Sequence, residues 1–223
     1  MRHKEVQAYP RVALVLQGGG ALGSYQAGVI EGLYEVGITP NWVAGISIGA
    51  LNCALMAGNA PKQRVTKLKE FWETICRPPS VAATAVSSMF DMLGPAAHAL
   101  RNYTQTQTER MFGSFAATQT MLEGQSGFFT PRPLAPGGGG LASTSYYHTT
   151  PLIATLEKFA DFDCNNSQDM RVSIGATNVI TGNFVYFDNT EVKLNPKHFL
   201  ASGALAPGFA AVEIDGEFYR ICA

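Results

Sequence analysis

The sequence predicts an α/β fold built on parallel strands, and three observations carry that reading. Two short apolar runs, residues 12–16 and 42–46, each end in a glycine-bearing turn and pass directly into a helical pattern. Neighbouring strand–turn–helix units of this kind lie parallel in one sheet and present both turns on the same edge. The chain has 223 residues, of which 46% are hydrophobic, enough for one sizeable domain with its own core.

Residues 11–17 read as a buried strand, Val12-Ala13-Leu14-Val15-Leu16 at its heart, running into Gly18-Gly19-Gly20-Ala21-Leu22-Gly23. Ala27, Ile30, Leu33 and Tyr34 then recur at helical spacing, with Gly37 as the stop. Pro40 and Asn41 mark a turn before the strand 42–46, and the small apolar residues 49–57 form a buried helix. Pro61 suits the first turn of the next helix. There Val65, Leu68, Trp72 and Ile75 share a face, and Lys62, Arg64, Lys67, Lys69 and Glu70 are left to solvent. From 77 to 146 the periodicity fails among prolines, the run Gly137-Gly138-Gly139-Gly140 and scattered Met and Phe. This stretch reads as an irregular inserted segment, its apolar part at 86–130 being either a satellite cluster or a pliable cover that meets lipid.

Order returns with a helix starting at Thr150-Pro151, carrying Leu152, Thr155, Leu156 and Phe159 on one face. Residues 171–179 and 183–187 read as a hairpin turning at Thr181-Gly182. Asn195-Pro196 opens a helix through Leu200, and 212–214 begins a last strand. There is no internal repeat.

Composition narrows the function. A net charge of −1 argues against a nucleic-acid surface or a polybasic anchor. The four cysteines, Cys53, Cys76, Cys164 and Cys222, form no CxxC or Cys/His cluster, so neither a metal site nor a disulfide framework is expected. That pattern suits a reducing, cytoplasmic setting. The apolar run at 12–16 is too short for a signal core or a membrane span. Nothing specifies an oligomeric state.

Gly45-Ile46-Ser47-Ile48-Gly49 is a GxSxG pentapeptide between strand and helix, the setting of a nucleophile elbow. The turn is so sharp that Gly45 and Gly49 must lack bulk, and it stands the Ser47 hydroxyl at a helix N-terminus that favours developing negative charge. Gly18 to Gly23 also fit GxGxxG, a dinucleotide-binding turn. That reading needs an acid about 20 residues on, where the chain has Asn41-Trp42-Val43-Ala44-Gly45. The alternative is that Gly18, Gly19 and Gly20 bare backbone N–H groups toward an oxyanion.

Together these segments resemble the patatin-like phospholipase family. The resemblance extends over Leu14 to Gly23, Gly45 to Asn52, Ala201-Ser202-Gly203-Ala204-Leu205-Ala206-Pro207-Gly208-Phe209 and 212–219, so it spans residues 11 to 223 as one domain. It implies a three-layer α/β/α fold with a mainly parallel central sheet. It also implies hydrolysis of lipid acyl esters by a Ser–Asp dyad, without cofactor or metal. Ser47 takes the nucleophile position, and Gly18, Gly19, Gly20 and Ala21 the oxyanion loop. A lipid substrate and transient contact with a membrane surface are implied as well. Leu22 stands where many members have Arg.

The family's dyad Asp lies in an Asp-Gly-Gly or Asp-Gly-Ala motif, and at the matching positions this chain has Ile221, Cys222 and Ala223. The expectation is a chain lacking its C-terminal part and weak or inactive as a hydrolase, or a non-catalytic module on the same scaffold. Asp215 is the nearest acid, but Asp215-Gly216 reads as a hairpin turn. A Ser–His–Asp arrangement with His198 and Asp188 is the runner-up among hydrolases, against His198 as an ordinary surface residue of a helix.

Overall fold

The computed structural model describes residues 9–76, 124–125, 127–132 and 145–221. Three parallel strands form the heart of a six-stranded sheet: β1 (Ala13–Leu16), β2 (Trp42–Ile46) and β5 (Arg171–Asn178). Between them in sequence come α1 (Gly23–Glu35), α2 (Ile48–Ala57), α3 (Arg64–Ile75), the short strands β3 (Thr130–Pro131) and β4 (Tyr147–His148), α4 (Thr150–Phe159) and α5 (Phe162–Asn165). Beyond β5 lie β6 (Phe184–Asp188), α6 (Pro196–Gly203), β7 (Val212–Ile214) and β8 (Glu217–Arg220). β6, β7 and β8 join antiparallel.

Thr177 pairs with both Phe184 and Arg220, so β6 and β8 lie on opposite edges of β5. β8 therefore follows β2 along the same edge, taking up the pairing after Gly175.

The order β1-β2-β5 advances in one direction. Right-handed crossovers then place the intervening helices on one face of the sheet. That face carries Val43, Val172 and Ile174, all fully buried. α2 packs directly on it, and every residue of α2 is buried. A helix enclosed in this way draws its stability from packing, at roughly 1.5–3 kcal/mol for each large apolar side chain, and needs no strong cap. The opposite face carries Val15, Trp42, Ile46, Phe184 and Tyr186, and Val15 remains 76% exposed. Among the described residues, helices cover only the first face.

Most elements fall where expected. α1 stops at Gly37, whose φ of 77° lets its N–H reach the Tyr34 carbonyl and that of Ile38 the Leu33 carbonyl. The hairpin between β5 and β6 turns on Asn178, whose side chain accepts from the amides of Ile180 and Thr181. Two details differ. Pro61 lies in a turn ahead of α3 rather than in its first turn. Arg64 is buried, because its guanidinium donates to the Asn59 carbonyl and to Tyr34 Oη. Most of the 77–146 segment lies outside the described residues. The described part forms the β3–β4 ribbon, with Phe128, Phe129, Tyr147 and Phe209 packed edge to face or tilted.

Candidate active site

Ser47 stands alone between β2 and α2 with φ 55° and ψ −124°. A non-glycine residue in this region costs roughly 1–3 kcal/mol and persists only where its surroundings enforce it. Here they do. A Cβ on Gly45 would lie 2.6 Å from the Gly49 carbonyl carbon, and one on Gly49 would collide with the Leu16 carbonyl oxygen. The two glycines thus let α2 start against the end of β1. The Ser47 carbonyl accepts from the amides of Ala50 (2.9 Å) and Leu51 (3.3 Å), opening α2. Its own N–H donates to Ser202 Oγ at 2.8 Å. The Ser47 side chain is half-buried, not sealed beneath the core.

The glycine-rich turn lies against this elbow. A Cβ on Gly18 would be 3.3 Å from Ser47 Cβ. Gly19 and Gly20 are exposed, and no acceptor among the described residues takes their amides. Gly20 has φ 57°, a conformation that leads the chain into a 3₁₀ turn over Gly20–Leu22 and so into α1. Ala21 lies in that turn and is exposed.

A polar relay, exposed at Gln17 and buried at Asn52, ties the turn to the helices behind it. Gln26 Nε2 donates to the Gln17 carbonyl at 2.6 Å, and Asn52 Nδ2 donates to Gln26 Oε1 at 3.0 Å and to the Gly23 carbonyl at 2.9 Å. Trp72 Nε1 completes it, donating to Asn52 Oδ1 at 3.1 Å. The sequence reading did not single out Gln26, Asn52 or Ser202 as site residues. Asn52 left a signal, as the one amide side chain in an otherwise apolar helix; Gln26 and Ser202 left none.

The other candidates are placed elsewhere. Asp215 is exposed at φ 52° in the turn between β7 and β8, the hairpin geometry its sequence suggested. Asp188 is buried, with its carboxylate accepting from Arg171, Ser173 and Thr190. His198 is not a surface residue. It is buried in the first turn of α6, where Nδ1 accepts the Asn195 N–H at 3.0 Å in a capping box. Its ring packs on Phe187, and burial is the main cause of its lowered pKa. No carboxylate among the described residues bonds to the Ser47 hydroxyl. Among the same residues no group of three or more His, Cys, Asp or Glu is placed to hold a metal ion, and no helix is long and apolar enough to cross a membrane.

Comparison with known proteins bears on this arrangement. The family model described as patatin-like phospholipase matches residues 14–221. The chain is 55% identical over 49 residues to lysophospholipase nte1 from Aspergillus terreus, a stretch covering 22% of this chain and 3% of that protein. It is 41% identical over 54 residues to triacylglycerol lipase SDP1L from Arabidopsis thaliana, covering 24% of this chain and 7% of the relative. The matched stretches thus take in no more than 7% of these relatives. Among solved structures, VipD from Legionella pneumophila aligns with a TM-score of 0.46 and 17% identity, over 96% of this chain and 46% of that one.

Proposed function

The chain belongs to the patatin-like phospholipase family, and from that membership we propose that it is a serine acyl hydrolase of lipid esters, of phospholipase A or lysophospholipase type. The observation that carries the reading is Ser47 at its strained turn with Gly18, the first residue of the glycine turn, packed against it. In the proposed step Ser47 Oγ attacks the ester carbonyl. The charge that develops on the carbonyl oxygen is received by the amides of Gly19 and Gly20, supported by Gly18, Ala21 and the Ile48 amide that follows the nucleophile. The C–O bond to the alcohol breaks as the Ser47 proton passes through solvent to the departing alkoxide, and water then adds to the acyl-serine, releasing the fatty acid and returning a proton to Ser47 Oγ.

Deprotonation of Ser47 is the weak link. At the position where the resemblance places the family's acid stands Ile221. Without a base the hydroxyl is a poor nucleophile, and losing such a partner typically costs several orders of magnitude in rate. We therefore expect slow turnover of lipid esters. Fluorophosphonates, whose fluoride leaves far more readily than a lipid alkoxide, are expected to label Ser47 even where ester turnover is slow.

An approach from a lipid surface is supported beside the turn. No charged residue occurs between Arg11 and Glu31, and Leu22 and Tyr25 there are 70% and 74% exposed. An uncharged apolar edge suits a neutral bilayer. We place the protein in the cytoplasm, peripheral to a membrane, with the lipid entering past this edge.

The test is labelling by a fluorophosphonate probe, together with p-nitrophenyl butyrate turnover. Covalent labelling that is lost in Ser47→Ala is the expected result, with little turnover. Fast Ser47-dependent turnover would overturn the slow-base part of the proposal. No labelling, with retained binding to phosphatidylcholine vesicles, would favour the second reading, a lipid-binding module; that no acid among the described residues bonds to Ser47 is the observation in its favour.

A further inference from the structure

We propose that Ser202 is a positioning residue that holds the nucleophile elbow in its strained form. For its effect on chemistry the inference rests on the hydrolase reading of Ser47; for its effect on backbone geometry it rests on the contact alone.

Ser47 precedes the first turn of α2, so its N–H lies outside the helical ladder and needs an acceptor from elsewhere. Ser202 Oγ is that acceptor, at 2.8 Å. The two residues are 155 positions apart, so the contact exists only once α6 has packed against α2 and β5. Ser202 is fully buried, and its neighbours Ala201 and Phe199 are too. The oxygen therefore sits on a rigid helix and cannot be replaced by water without displacing the core. A left-handed backbone at a serine relaxes unless something opposes it. The glycines at 45 and 49 permit the turn by leaving room. Ser202 is the group that pulls on it, because a bond to the Ser47 amide fixes the orientation of the peptide joining Ile46 to Ser47. That peptide in turn sets where the Ser47 side chain points relative to the Gly18 turn.

The bond also assigns roles among the amides. The Ser47 N–H is already engaged, so it is withheld from the oxyanion, which leaves that task to the glycine turn and to the amide of Ile48.

The experiment uses the full chain and two readouts. The first is the rate of fluorophosphonate labelling at Ser47, separated into the limiting rate and the half-saturating probe concentration. The second is hydrogen exchange at the Ser47 amide, followed in a peptide covering residues 45–50. In Ser202→Ala a buried donor loses its acceptor, and the limiting rate is expected to fall about ten- to hundred-fold with half-saturation little changed. The Ser47 amide should exchange faster, and Ser202→Thr, which keeps the oxygen, should recover most of both. Labelling and amide protection at wild-type levels in Ser202→Ala would overturn the proposal. If the wild-type chain is not labelled at all, the hydrolase reading fails, and amide exchange alone decides the positioning claim. Should Ser202→Ala not fold, Ser202→Cys, of similar size with a far weaker acceptor, is read by the same two measures.

Discussion

Gly49 sits where the end of one strand and the start of a helix meet without a gap. Gly49→Ala forces a methyl group into the Leu16 carbonyl, and overpacking of this order typically costs 1–3 kcal/mol. The expected outcome is a melting midpoint lowered by several degrees and loss of probe labelling. Gly20→Ala meets open space but must adopt positive φ, so it should lower labelling with a smaller effect on melting. His198 gives a second residue-level prediction. Its folded pKa lies below the ordinary value of about 6.5, so the neutral ring stabilises the fold above that value. That contribution shrinks as pH falls from there toward the folded pKa. The melting midpoint should decline over that interval. His198→Gln, which keeps a capping-box side chain, should flatten the decline. The tight turn at Ser47 between Gly45 and Gly49 was legible in sequence because five adjacent residues specify it. Ser202 was not, since its partner is fixed by tertiary packing alone. The inward turn of His198 was likewise invisible: a histidine after Asn195-Pro196 reads equally well as exposed.

At the scale of elements, strands and helices with a clean period were read well, and polar residues within them were not. β5 and β6 showed their alternation and their turn, and α4 its stripe. α3 showed its apolar face, but Arg64 was read as solvent-facing, because a long charged side chain gives no sign that a carbonyl and a phenol await it. Arg64→Met keeps much of the apolar stem but strips the bonds to Asn59 and Tyr34. The expected loss is about 1–3 kcal/mol in denaturant unfolding, since the half-buried Asn59 carbonyl contact and the tie between α1 and α3 go together. A variant as stable as wild type would show that packing of the stem, and not the guanidinium, anchors α3.

For the whole molecule, the parallel heart of the sheet was legible from two strand–glycine–helix units. The placing of β8 beyond β2 was not, because it depends on where a strand 40 or more residues later finds a free edge. Asp188 joins this sheet together, taking bonds from Arg171 and Ser173 of β5 and from Thr190 beyond β6. Burial alone would raise its pKa, but these bonds outweigh it and hold the carboxyl below the ordinary value of about 3.9. Its stabilising effect is therefore complete above that value and is lost as pH falls through the lower folded pKa. Asp188→Asn should unfold at lower denaturant concentration than wild type at pH 7 and converge with it in strong acid.

The relay from Gln17 through Gln26 and Asn52 ends on the indole of Trp72. On the proposed hydrolase reading, an anion received by the Gly19 and Gly20 amides is expected to shift the strand end that carries Gln17, and with it the polarity around Trp72, whose ring also packs against Gly23. The expected consequence is an intrinsic optical signal: in a Trp42→Phe background, emission from Trp72 should change as a phosphonate occupies the serine, and Asn52→Leu should silence the signal.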